Sequence, residues 1–179
     1  MTTEEEIHKE IQQQSTRKLN KKIVLLAVIA VLAAIIGYFY FGIISPLVAK
    51  PFMTKPPLNS GDPITSDHIS WVVNELGGYK LHPFVDGEPP EIEVVVGNST
   101  FSVTTENGTS VARPGKASSP DIRLMATYEA LLRIFGASDI KSEIKTLYNE
   151  GSVTFELLKD KVVLALKGYK GVYDELQGK

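Results

Sequence analysis

The chain has 179 residues, 43% of them apolar, and a net charge of −2, which suffices for one modest core and not for two. The slightly acidic balance excludes a general attraction for nucleic acid, since that requires a clustered basic surface. Cysteine is absent, so a disulfide framework, a thiolate zinc site and a cysteine nucleophile are excluded as well.

Residues 1–22 read as a polar cytoplasmic tail whose acidic run Glu4-Glu5-Glu6 is a solvated face and whose end is basic, with Arg17, Lys18, Lys21 and Lys22. From Ile23 to Ile44 the sequence IVLLAVIAVLAAIIGYFYFGII runs twenty-two residues without a charge. At about 1.5 Å per residue such a helix is roughly 33 Å long, the thickness of a hydrocarbon core. A soluble helix would carry a polar stripe. A cleaved signal peptide would have a shorter apolar stretch closed by small residues, not by Tyr38, Phe39, Tyr40 and Phe41. The pattern therefore predicts an uncleaved signal-anchor, a single-pass transmembrane helix over 23–44. Lysine and arginine crowd its N-terminal side, so the C-terminal part is expected on the extracytoplasmic side of the cell membrane. Ala27, Ala30, Ala34 and Gly37 fall on one helix face. That face admits a close partner helix, from another membrane protein or from a second copy of this chain, although alanine is also simply common in such helices.

Pro46, Pro51, Pro56, Pro57 and Pro63 predict a semi-rigid stalk over 45–62, leaving residues 63–179 as the outer domain. Ser66 to Leu76 places Ile69, Val72, Val73 and Leu76 on one face before Gly77-Gly78, a short amphipathic helix. Three strands follow, Ile92 to Val96, Thr100 to Thr105 and Thr109 to Ala112. They are separated by Gly97-Asn98 and Asn107-Gly108, which is the turn chemistry of a hairpin meander. Asn98-Ser99-Thr100 and Asn107-Gly108-Thr109 are also glycosylation acceptor sequences. Asp121 to Ala126 reads as a fourth strand.

The period then lengthens. Tyr128, Leu131, Leu132 and Phe135 up to Gly136, then Ile140, Ile144, Leu147 and Tyr148, predict two amphipathic helices joined by a tight break. Val153, Phe155 and Leu157 alternate as a strand, Lys159-Asp160 reads as a turn into another strand over Val162 to Leu166, and Tyr169, Val172, Tyr173 and Leu176 predict a short last helix. The expectation is an α+β domain, a mainly antiparallel sheet with helices on one face.

This order, with the PDIRLMA strand opened by Asp121 and the glycine-led GSVTFELLKDKVVLALKGY segment from Gly151, resembles the sterol carrier protein type 2 family over residues 91 to 170. The resemblance implies an apolar cavity between sheet and helices and no catalytic signature. From the residues themselves, Leu131, Leu132, Phe135, Ile144 and Leu147 on helices can face Leu124, Val153, Phe155 and Leu157 on strands, either as a pocket wall or as packed core.

Chemistry beyond that is sparse. Asp62, Asp67, His82, Asp86 and Glu88 lack any paired metal-ligand spacing and read as a solvated loop. No nucleophile elbow or phosphate-cradling loop occurs, so neither an enzymatic activity nor a cofactor is implied. Two functions fit: a membrane-anchored module holding a lipid or other apolar ligand, or a non-catalytic accessory subunit of a larger membrane protein complex.

Overall fold

The computed structural model describes residues 25–37, 48–84 and 87–177. The chain divides into two units, Met1–Gly42 and Ile43–Lys179. In the first, residues 25–37 are α-helical (α1). Ala27, Ala30 and Ala34 are exposed, and nothing lies within 4 Å of a Cβ built on Gly37. The remainder of the expected span, 23–24 and 38–44, and the basic tail lie outside the described residues. Among the described residues no helix is long and apolar enough to cross a membrane.

The second unit is an α+β domain around one five-stranded sheet of order β3-β2-β1-β4-β5. Its strands are β1 Glu91–Val96, β2 Ser99–Glu106, β3 Thr109–Pro114, β4 Ile122–Ala126 and β5 Val153–Leu157. The two turns expected from Gly97-Asn98 and Asn107-Gly108 join β1 to β2 and β2 to β3, with Asn107 at φ 50 and Gly108 at φ 72. These positive values suit the left-handed positions of a tight hairpin. Three pairings are antiparallel, but β1 and β4 run parallel, with Ile92 opposite Ile122 and Val96 opposite Ala126. The sheet is therefore mixed. A parallel neighbour needs a crossover, and residues 115–121 supply it. The Glu91 carboxylate anchors that crossing by accepting hydrogen bonds from the Ser118 and Ser119 amides and from the Ser102 and Ser118 hydroxyls. Burial pushes the Glu91 carboxyl up, yet those donors outweigh it and hold the group below its ordinary value.

Alternation assigns the two faces. Ile92, Val94, Val96, Phe101, Val103, Ala112, Ile122, Leu124 and Val153 point inward and are buried. Outward, Arg123 bridges Glu93 and Glu156 at 2.6 Å each, and Arg113 meets Glu106 at 2.8 Å. The inner face is covered by α2 Ser66–Glu75, α3 Tyr128–Gly136 and α4 Ile140–Asn149. Helix α2 also closes the β3 edge. Its Ser70 hydroxyl and Asn74 side chain accept from the Ala112 and Ser110 amides at 2.9 Å each, which occupies donors that an open edge would offer to another chain.

Two expectations are corrected. Val162 to Leu166 is not a strand but part of helix α5, Lys161–Leu166, followed by α6 Tyr169–Gln177. An apolar run this short satisfies either period. Asp160 decides the matter, because its carboxylate accepts from the Val162 amide at 2.8 Å and caps a helix. Nor does the proline-rich segment stand off as a spacer. Met53 and Leu58 pack on the core. Lys55 sits 5.2 Å above the Trp71 ring and donates to the Phe135 carbonyl. The Tyr128 hydroxyl accepts from the Gly61 amide and is shared between the Asn59 and Asp62 carbonyls. His68 meets the Pro57 carbonyl through Nε2 at 2.9 Å. The compact body thus incorporates residues 48–62.

Candidate functional site

A cavity of about 230 Å³ lies where the ends of β4 and β5 meet α5 and α6. Ile122, Phe155 and Leu157 come from inward positions of the two strands, which the period of two fixes. Leu164 and Ala165 come from α5, and Tyr169, Val172 and Tyr173 from α6. Lys161 and Lys170 bring the charged groups. The described part of the wall is thus predominantly apolar with two cationic side chains, a composition suited to an apolar or amphipathic molecule.

Beside the cavity is a buried polar cluster that ties its two sides together. Asp121, just before β4, is 0% exposed, and Lys167, between α5 and α6, is 2% exposed. The Lys167 ammonium lies 3.0 and 3.3 Å from the two Asp121 carboxylate oxygens. The same carboxylate accepts from the Tyr169 hydroxyl at 2.9 Å and the Glu91 amide at 3.0 Å. A buried ion pair is tolerable only when its remaining hydrogen-bonding capacity is filled, and here two further donors, the Tyr169 hydroxyl and the Glu91 amide, serve the carboxylate. Burial first, then the Asp121 charge and the hydrogen bond to it, push the Tyr169 phenol well above its ordinary value of 10.0. Tyr169 is therefore a neutral donor across the whole physiological range, holding α6 against the strands.

Gly168 makes the α5 to α6 turn possible. Its φ is 90°, and a Cβ there would come within 3.2 Å of the Lys80 carbonyl oxygen, so both conformation and space favour glycine.

Of the residues singled out from the sequence, Phe155 and Leu157 line this cavity. Leu124, Leu131, Ile144 and Val153 instead surround, with Phe155, a void of about 40 Å³ beneath α2, α3 and α4. Phe135 and Leu147 are core, and Leu132 is half-buried. Such a void has room for about one water. The cavity residues that sequence reasoning did not assign, Leu164 and Ala165 above all, sit on the helix read as a strand. Val172 and Tyr169 were visible as a helical stripe. Asn98 and Asn107 are both exposed at their turns. Asp86 lies outside the described residues. Among the described residues no group of three or more metal-ligating side chains forms, and Asp62 accepts instead from the Asn59 amide and side chain.

No protein-family model matches the chain, and no curated protein matches its sequence. Solved structures similar to it include a ubiquinone synthesis protein, UbiJ-SCP2, at 12% identity, covering 63% of this chain and 95% of that one with a TM-score of 0.36. Another is sterol carrier protein 2 like 2 from Aedes aegypti, at 14% identity, 55% and 87% coverage and a TM-score of 0.32. A third is a stereoselective inverting sec-alkylsulfatase from Pseudomonas sp., at 16% identity and a TM-score of 0.33, of which this chain covers 12% while 49% of this chain is matched.

Proposed function

We propose that this chain is a membrane-tethered module that holds a lipid or another apolar ligand in the cavity between β4, β5, α5 and α6. The observation that carries the reading is the cavity itself. It is an opening of about 230 Å³ walled by Ile122, Phe155, Leu164, Val172 and two tyrosines, whereas the opening of about 580 Å³ beside the start of α2 is lined largely by polar residues, Thr65, Ser66, Asp67, Ser99 and Thr100 among them. Protein interiors otherwise pack to crystal density, so a larger apolar space has a use. Its size falls just under the roughly 300–1,000 Å³ of ordinary ligand sites, which favours a single acyl chain over a bulky polycyclic ligand. The tether is supported by the uncharged run from Ile23 to Ile44 and by the basic cluster before it.

A photoactivatable diazirine fatty acid, added to the full chain in vesicles, tests the reading. Cross-links are expected on β5, α5 and α6, competed by unlabelled fatty acid and lost in Ala165→Trp, whose indole fills the cavity while the melting curve is retained. Labelling confined to residues 23–44, or insensitive to competitor, overturns it.

A further inference from the structure

The two edges of the sheet end differently. At β3 the Asn74 and Ser70 side chains occupy the Ser110 and Ala112 amides. At the opposite edge stands β5, which pairs with β4 on one side only. Two bonds fix which way its backbone points. The Thr127 amide donates to the Ser152 carbonyl, and the Leu158 amide donates to the Asp121 carbonyl. Along an antiparallel pair such bonds fall on every second residue, so 152, 154, 156 and 158 turn their peptide groups to β4. Val153, Phe155 and Leu157 therefore turn theirs outward, and among the described residues nothing bonds to them.

An open edge is usually blunted by proline, by lysine, by a bulge or by a covering element. The β5 sequence VTFEL has neither proline nor lysine, and its register with β4 is unbroken. Its one charge, Glu156, is bound to Arg123 at 2.6 Å. Glu156 and Leu157 are exposed, and Thr154 and Phe155 are half-buried. A row of outward amides and carbonyls at strand spacing is matched by another extended chain.

The sequence of β5 matches a second copy of itself. Two β5 strands laid antiparallel, with a twofold axis through Phe155, set Val153 against Leu157 and Phe155 against Phe155. Thr154 of one copy then lies across from Glu156 of the other. Apolar side chains thus meet on the inner face, and each carboxylate faces a hydroxyl instead of a like charge. Every outward amide of one strand meets an outward carbonyl of the other. The pairing also closes, because the edges left outermost are the two β3 strands, already covered by α2.

We propose that two copies of this chain pair β5 to β5, antiparallel about Phe155, and join their five-stranded sheets into one. The inference stands apart from the cavity reading. One strand pair is a small interface, so the association is concentration-dependent.

Because the chain has no cysteine, introduced thiols report the register directly. Full chain carrying Thr154→Cys and a differently tagged full chain carrying Glu156→Cys are oxidised in mild detergent, each alone and mixed. In the proposed register, positions 154 and 156 of the two copies lie about 4.5 Å apart between Cα atoms, whereas like positions lie about 7–8 Å apart, too far for a disulfide. The mixture is therefore expected to give the crosslinked heterodimer in several-fold higher yield than either chain alone gives a homodimer. Yield should rise with protein concentration. Thr154→Cys mixed with Asn98→Cys should not crosslink. Adding Leu157→Pro to both chains removes an outward donor while leaving the bonds to β4 in place, and should cut the yield several-fold. Equal yields in all mixtures overturn the proposal, because association then lies elsewhere in the chain. Dominant crosslinks between like positions overturn it in favour of a parallel pairing. Absence of crosslinks at every concentration also overturns it and leaves the edge to a strand of another protein.

Discussion

At the scale of single residues, the Asp121, Lys167 and Tyr169 cluster is where the domain has most to lose. Lys167→Met keeps much of the volume of the lysine stem but leaves the Asp121 carboxylate, 0% exposed, without its cation. Removing one partner of a buried pair costs about 3–5 kcal/mol, and chemical denaturation of the full chain is expected to show a loss of that order. Tyr169→Phe is milder. It deletes one hydrogen bond to a charged acceptor, worth about 1.5–3 kcal/mol, and it also changes the alkaline response. The folded-state phenol titrates above its ordinary value of 10.0, so its contribution is complete below that pH and is lost as pH rises through the folded value. Wild-type stability should therefore fall above about pH 10, and melting curves of Tyr169→Phe across that range should fall less steeply. The sequence displayed both ends of this cluster, since Asp121 opens a strand motif and Tyr169 starts a helical stripe. Nothing in the spacing joined them, because a contact between residues 121 and 167 is set by the tertiary path of α5.

At the scale of elements, most of the chain could be read in advance because two periods and two turn dipeptides do most of the specifying. The β1 to β3 meander follows from alternation with Gly97-Asn98 and Asn107-Gly108, and α3 and α4 follow from helical spacing and a break at Ala137. What could not be read is pairing across sequence distance. Alternation is the same in parallel and antiparallel neighbours, so the β1 to β4 pairing awaited the crossover held by Glu91. The run KVVLAL was lost for another reason: its paired valines suit a strand while its leucines and alanine suit a helix, and the Asp160 cap decides between them. That makes Asp160 a small but informative test. Asp160→Ala is expected to cost about 1 kcal/mol. Amide exchange should quicken over residues 161–166, the elements that form one wall of the cavity, with little change in α3. Uniform acceleration throughout the domain would mean that α5 does not open as a local unit.

At the scale of the whole C-terminal unit, the segment read as a stalk determines what the body is. Proline fixes a chain in extended form without saying whether it leans on anything, so composition alone could not separate a spacer from a strap. The contacts do. Lys55 closes the last turn of α3 at the Phe135 carbonyl and covers Trp71, Pro57 faces His68, and residues 59–62 wrap the Tyr128 hydroxyl. Lys50 adds an ion pair to Glu75 at 2.6 Å, though an exposed pair contributes little. Phe52, 96% exposed, contributes no packing. A spacer could be cut away without consequence. A strap cannot, because its removal leaves His68 Nε2, the Tyr128 hydroxyl and the Phe135 carbonyl without these partners and uncovers apolar surface under Met53 and Leu58. At about 1 kcal/mol for each hydrogen bond, a chain beginning at residue 63 is expected to be at least 3 kcal/mol less stable than one beginning at residue 48. Tyr128→Phe in the full chain should reproduce about 1–2 kcal/mol of that difference, with faster amide exchange at Gly61. Coincident denaturation curves for the two truncated chains would restore the spacer and remove residues 48–62 from the folded unit.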